Sequence, residues 1–307
     1  MRDYDILCIG EVNVDLILSG IEALPEFGRE VLARGVGMHL GGCTANVATF
    51  AAALGMRAAL RARVGRDDFG DFLMAELEKA GVSTEFVIRD DTLSTGLTVS
   101  LSGARDRAFV TYLGTIDGLS GDDVQDALFR RARHVHIGSY FMQRRLQPSV
   151  AGILRRARQD GLTTSLDPGY DPYEEWDSGV LDALQGADVF MPNEVEAPAI
   201  AGVRDPWAAA ARLAETGARV ALKLGEDGAA LVTACDEVRA PGFRVQVVDT
   251  TCCGDAFNAG LLCAMLDGKG ADEMLRWGNA AGAIVAGGSG ASTERLSRAT
   301  VGQMVAG

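Results

Sequence analysis

The 307-residue chain has no run of 18 apolar residues, so nothing in it predicts a membrane-spanning helix. Basic residues are in deficit: 29 Lys and Arg against 42 Asp and Glu leave a net charge of −13. That balance argues against nucleic acid or an anionic membrane as a partner, although a local pocket can still take an anion. The six cysteines, Cys8, Cys43, Cys235, Cys252, Cys253 and Cys263, form no CxxC pair. Reduced thiols in a cytoplasmic protein are therefore expected. The three histidines show no HExxH spacing, so no zinc site is predicted. GxxxxGK[ST] and GxGxxG are both missing, which removes the two commonest phosphate-loop patterns. Proline is scarce (8) and glycine abundant (38), the mark of many tight turns and close backbone approaches.

What is present is a soluble globular composition, 48% apolar and 23% charged, which excludes disorder. Short apolar runs alternate with helical patterns. Ile6–Ile9, Leu60–Val64, His134–Ile137, Thr163–Leu166, Asp188–Met191 and Val220–Leu224 read as strands. Thr44–Leu54, Phe69–Lys79, Ser149–Arg158, Gly254–Leu266 and Asp272–Ala286 read as helices. This rhythm predicts an α/β fold with a mainly parallel central sheet over a single domain, residues 1–307. Residues 12–37 and 94–114 break it. They carry strand-like alternation and a turn at Gly103-Ala104-Arg105-Asp106, but no helical period. We expect them to form a small β-sheet projecting from the main domain as a lid. Ordinary surface hairpins are the plainer reading.

Four stretches could carry chemistry. In Asp249-Thr250-Thr251-Cys252-Cys253-Gly254-Asp255-Ala256-Phe257, an expected strand at Val245–Val248 runs into a turn that opens a helix. The free amides of such a helix start make an anion site. Asp255 beside it suits a base that takes a proton from a hydroxyl attacking a phosphoryl group. It could equally be a favourable first-turn charge. Gly41-Gly42-Cys43-Thr44-Ala45-Asn46 opens a second helix. Its glycines admit a ligand to the backbone and Asn46 offers a donor and an acceptor to a hydroxyl, or Thr44 simply caps a turn. Asn193-Glu194-Val195-Glu196 follows a strand end and reads either as a capping pair or as an amide and carboxylate near magnesium. Lys223-Leu224-Gly225-Glu226-Asp227-Gly228 reads as a tight strand-to-strand turn.

Taken in this order, the motifs resemble the ribokinase-like (PfkB) carbohydrate kinase family over nearly the whole chain. Gly41-Gly42…Asn46…Gly55 is similar to its N-terminal motif. Asp249-Thr250-Thr251…Gly254-Asp255-Ala256-Phe257…Gly260 is similar to its C-terminal motif, and Asn193…Glu196 lies between them. The resemblance implies a three-layer sandwich with a β lid and an ATP-dependent kinase for a sugar or sugar-like hydroxyl. It implies Asp15, Gly41, Gly42 and Asn46 as the substrate pocket, Asp255 as the base, and the amides of Cys253, Gly254 and Asp255, after Cys252, as the anion hole. It implies Asn193 and Glu196 as magnesium-linked through water, and Lys223, Gly225, Gly228 and Asn279 beside the nucleotide. Backbone oxygens near Asp249, Thr251, Ala286 and Gly290 would hold a monovalent cation, potassium. A homodimer through the lid is a further expectation.

The chain departs from the family at Cys252-Cys253, where Gly-Ala is usual, so Cys252 must take a negative φ or be strained. It also departs at Cys43-Thr44, in place of a frequent Lys-Gly. A nucleoside kinase and a non-catalytic sugar- or nucleotide-binding homologue are the alternatives. A nucleoside would need a wall for its base, and Phe109, Tyr112, Tyr140 and Phe141 could supply it. The position of the two cysteines at a helix start predicts thiols that ionise readily where solvent reaches them; small, buried residues filling space under the loop are the equal alternative.

Overall fold

The computed structural model describes residues 2–103, 107–288 and 291–307. Residues 104–106 of the expected turn lie outside them. The chain begins with β1 (Tyr4–Ile9), β2 (Asn13–Ile21), β3 (Gly35–Gly41) and α1 (Cys43–Ala53). β4 (Ala58–Arg61), β5 (Arg63–Gly65), α2 (Asp68–Lys79), β6 (Ile88–Asp90), β7 (Leu97–Gly103) and β8 (Arg107–Tyr112) follow. The middle of the chain forms α3 (Asp126–Phe129), β9 (Ala132–Ile137), α4 (Gln147–Gln159) and β10 (Thr163–Leu166). Next come α5 (Val180–Leu184), β11 (Val189–Phe190), α6 (Glu196–Ala201), α7 (Pro206–Ala214) and β12 (Arg219–Lys223). The chain closes with β13 (Ala229–Val232), β14 (Glu237–Ala240), α8 (Cys253–Leu266), α9 (Ala271–Ala286) and α10 (Arg298–Ala306).

Eight strands make the main sheet in the order β14-β13-β12-β11-β10-β9-β1-β4. The run from β12 to β4 is parallel, and β13 and β14 add an antiparallel edge. Helices cover both faces, and the strand sequences show why. In β1, Ile6 and Cys8 enter one core while Leu7 and Ile9 enter the other, all fully buried. A strand buried on both faces reads as a continuous apolar run, not an alternation. One core packs the sheet against α1, α8 and α9, and the other against α4 and α7. The architecture is the α/β sandwich that the βα rhythm predicts.

His134 and His136 stand fully buried on β9. His134 Nε2 and His136 Nδ1 both meet the Ser165 hydroxyl at 2.8 Å, and His134 Nδ1 meets Thr163 Oγ1 at 2.8 Å. Burial pushes both imidazoles down, His136 to about 4, so they are neutral core residues at physiological pH.

A second sheet, ordered β3-β2-β7-β8, stands apart from the first. β2 pairs antiparallel with β3 and parallel with β7, and β7 pairs antiparallel with β8. It leaves Val36, Met38, Phe109, Val110 and Tyr112 exposed.

The strand expected at Val245–Val248 does not form. These residues follow β14, the last strand of the main sheet, and pair with no strand among the described residues. Val247 and Val248 are exposed. β-branched residues favour strands only where a pleated, half-buried surface receives them, and here none does. The Val248 amide instead donates to the Ala286 carbonyl at 2.8 Å.

Candidate active site

The chemistry-bearing residues gather at the carboxyl ends of the parallel strands, where open α/β sheets bind ligands. Two helix starts converge there. α1 begins after Gly42, which has φ 96° and caps the helix without a side-chain bond. Thr44 is therefore not the cap. Its amide and hydroxyl instead donate to the Glu11 carboxylate, at 3.3 and 2.5 Å. That places a buried carboxylate against the positive end of α1.

α8 begins after Cys252, which takes φ 61°. Of the two outcomes open to a side chain at this usually glycine position, the strained one occurs. A non-glycine residue in this region costs about 1–2 kcal/mol. Asn46 joins the two helix starts: its Nδ2 donates to Asp255 Oδ2 at 2.9 Å and to Cys252 Sγ at 3.2 Å. Residues 209 apart in sequence thus share one hydrogen bond.

Asp255 is 8% exposed. Burial pushes its carboxyl up to about 8; the Asn46 bond and the Lys223 ammonium oppose the rise, and the Asp167 and Glu11 carboxylates add to it. The amides of Gly254 and Asp255 lie in the first turn, where no intrahelical carbonyl is available. The Cys253 amide leans on the Thr250 carbonyl at 3.4 Å.

Asp15 projects from β2 of the small sheet. Burial pushes its carboxyl up to about 6, against the pull of the Asn13 amide, which donates at 2.7 Å. Gly41 is required beside it, because a Cβ there would stand 2.3 Å from the Asp15 carboxyl carbon. Asp15 and Gly41 from the small sheet, Gly42 and Asn46 at the start of α1, and Asp255 at the start of α8 are thus brought together.

Asn193 and Glu196 form a reciprocal capping pair. The Asn193 amide donates to Glu196 Oε2 at 2.9 Å, and Asn193 Oδ1 accepts from the amides of Val195 and Glu196 at 2.8 Å. Burial nevertheless pushes Glu196 up to about 7, held back by the Lys223 ammonium. One buried carboxylate matches a magnesium ion that keeps most of its waters and leans on phosphates. Among the described residues no group of three or more His, Cys, Asp or Glu could cage a metal.

Gly225 and Gly228 flank the turn between β12 and β13. A Cβ on Gly228 would stand 2.2 Å from the Ala240 carbonyl oxygen, so only glycine fits. Asn279 lies at the same place: its Nδ2 donates to the Ala240 and Pro241 carbonyls at 3.0 Å.

The Ala286 carbonyl accepts from the amides of Val248 and Asp249, at 2.8 and 3.3 Å, and Gly290 lies outside the described residues. Asp249 Oδ1 and Thr251 Oγ1 meet Arg107, which reaches across from β8 of the small sheet. Of the two readings of the cysteines, the buried one fits. Burial, with the Asp255 and Asp249 carboxylates adding, pushes Cys253 up to about 11 and Cys252 well above an ordinary thiol. A helix start cannot lower a thiol surrounded by carboxylates.

Several residues here escaped the sequence reading. Asp167 directly follows β10, is buried and pairs with Lys223 at 2.8 Å. A carboxylate immediately after a parallel strand was the available signal. Nothing local marked Asn258, Glu11 or Arg107.

A sequence profile described as pfkB family carbohydrate kinase matches residues 3–298. Among curated relatives, an ATP-dependent ribose-1-phosphate kinase of Halopiger xanaduensis is 34% identical over 290 residues, covering 93% of each chain. A 2-dehydro-3-deoxygluconokinase of Bacillus subtilis is 31% identical over 258 residues, covering 80% of each. The structure of a fructokinase with bound ATP from Xylella fastidiosa superposes with a TM-score of 0.84 at 26% identity, over 99% of this chain and 98% of that one. With two convergent helix starts and a profile match spanning almost the whole sequence, the chain belongs to the pfkB family of carbohydrate kinases.

Proposed function

We propose that the cleft between the two sheets phosphorylates a sugar hydroxyl with ATP, and that Asp255 is the base. The Asn46–Asp255 hydrogen bond carries this reading. It sets a donor and acceptor for a substrate hydroxyl against a carboxylate at the start of α8. Asp15, Gly41, Gly42 and Asn46 would hold the sugar. Asp255 would accept the proton of the attacking hydroxyl, and the amides of Gly254 and Asp255, with Cys253, would meet the transferred phosphoryl group. ATP would lie along the Gly225–Gly228 turn and Asn279. Magnesium, held through water by Asn193 and Glu196, would offset charge on the phosphates.

The small sheet acts as a lid in this reading. Arg107 links it to Asp249 and Thr251 at the mouth of the anion site, and closure would keep water from the phosphoryl group. The exposed apolar side chains of that sheet suit a homodimer formed through it. The nucleoside reading loses two of its four candidate walls, because Tyr140 and Phe141 are fully buried and pack edge to face at 5.3 Å.

Single-turnover ADP formation with a panel of free sugars, sugar phosphates, sugar acids and nucleosides tests the proposal. A sugar-dependent burst is expected. A burst with nucleosides alone, or none with any acceptor, would reject it.

A further inference from the structure

Beneath the anion site lies a charge pair that the proposed chemistry does not use directly. Lys223 Nζ meets Asp167 Oδ2 at 2.8 Å, with side-chain exposures of 13% and 6%. Asn258 Nδ2 donates to the same oxygen at 2.7 Å, and the Gly169 amide holds the other oxygen at 2.9 Å. The lysine is fixed from its backbone as well. Its amide donates to the Pro192 carbonyl at 2.9 Å, and the residue forms a bridge with Asn193. Its ammonium lies 3.8 Å from where a Cβ on Gly254 would stand. Asn258 is one turn along α8 from Gly254 and Asp255, so one helix carries the amides, the base and the anchor of Asp167.

A buried ion pair contributes little net stability, since desolvation offsets attraction. The placement of this one matters more than its energy. Three carboxylates, Asp167, Glu196 and Asp255, surround a single buried cation. Asp255 also faces Glu11 from the loop between β1 and β2 and Asn46 from α1. Lys223 is the one cation among these groups, and an incoming phosphate would add further negative charge.

We propose that Lys223, held by Asp167 and Asn258, is the positioning cation of the transfer site: its ammonium at the Gly254 end of the amide cradle favours the ionised form of Asp255 and offsets negative charge arriving there. The proposal rests on Asp255 being the base. No bond to Lys223 forms or breaks.

The directions of the charge effects make it testable. A neighbouring cation favours the carboxylate, and a neighbouring anion disfavours it. The base works ionised, so activity rises with pH through the Asp255 value. Lys223→Met should move that limb of the kcat/KM profile to higher pH by about one unit or more. Asp167→Asn should move it the opposite way, and Lys223→Arg should stay near the parent. In Lys223→Met, kcat should fall by about 10² with little change in sugar KM, as for loss of one preorganised electrostatic contact. Tm is measured on each variant. Should Lys223→Met fail to fold, the doubly neutral Lys223→Met/Asp167→Asn protein and Asp167→Asn alone decide the matter. Limbs that stay in place in every folded variant, or that move the same way in Lys223→Met and Asp167→Asn, overturn the proposal. Asp255→Asn serves as the control: a limb that survives it rejects Asp255 as base, a failure separate from that of Lys223.

Discussion

The two sheets were built from similar residues and for different ends. In the main sheet β1, β4 and β12 are buried on both faces, and their sequences are nearly unbroken apolar runs. In the small sheet β3 and β8 are rich in Val, Met, Phe and Tyr too, yet much of that apolar surface faces solvent. Only the main sheet has helices on both sides to receive such side chains. The main sheet thus packs on both faces around the carboxylates and amides at its strand ends, whereas the small sheet carries Asp15 and Arg107. Rigid placement serves catalysis, and in the proposed lid reading a layer packed on one side would serve opening and closing.

The comparison can be broken most forcefully at Asp255, on the rigid side. Asp255→Asn keeps size and the helix start but removes the base. We expect kcat to fall by about 10²–10⁴ while sugar binding, measured by calorimetry, changes little. Near-normal turnover would place the chemistry elsewhere. Next in size is packing. Leu60 in β4 is fully buried in the core shared with α1 and α8. Leu60→Ala should cost about 2–5 kcal/mol in urea unfolding, as large-to-small core changes do.

Arg107 joins the two regions. Its ion pair with Asp249 is part-exposed, with side-chain exposures of 35% and 25%, so its worth is about 0.2–1 kcal/mol. Arg107→Gln should raise sugar KM by roughly two- to fivefold and leave Tm nearly unchanged, because it loosens closure and not the core. The smallest effect is expected at Phe27, which is fully exposed beside the small sheet. Phe27→Ser should alter stability by no more than about 0.5 kcal/mol. A loss as large as that of Leu60→Ala would show that this region is packed in solution, and sedimentation would reveal whether a second copy covers it.

Much of this was legible in the chain. The βα rhythm, the two glycine-bearing helix starts and the Asn193–Glu196 pair all stand where the pattern of residues puts them, because each is a local feature: a period, a cap or a turn. The misreadings share a cause. Val245–Val248 has the composition of a strand, but strands form only beside a partner edge, and the partner is set by topology. Cys252 and Cys253 occupy a helix start that favours thiolate, but Asp255, Asp249 and burial, which come from the fold, outweigh it.

The sequence by itself determined the α/β class and the stretches that open α1 and α8, since periodicity and turn chemistry act over a few residues. Only the tertiary structure decided that Asn46 reaches Asp255 and that Lys223 meets Asp167, 56 residues away, beneath the amides of α8. Electrostatic energy depends on distance through space and on the water excluded along the way, and neither quantity exists until the strands have taken their order in the sheet.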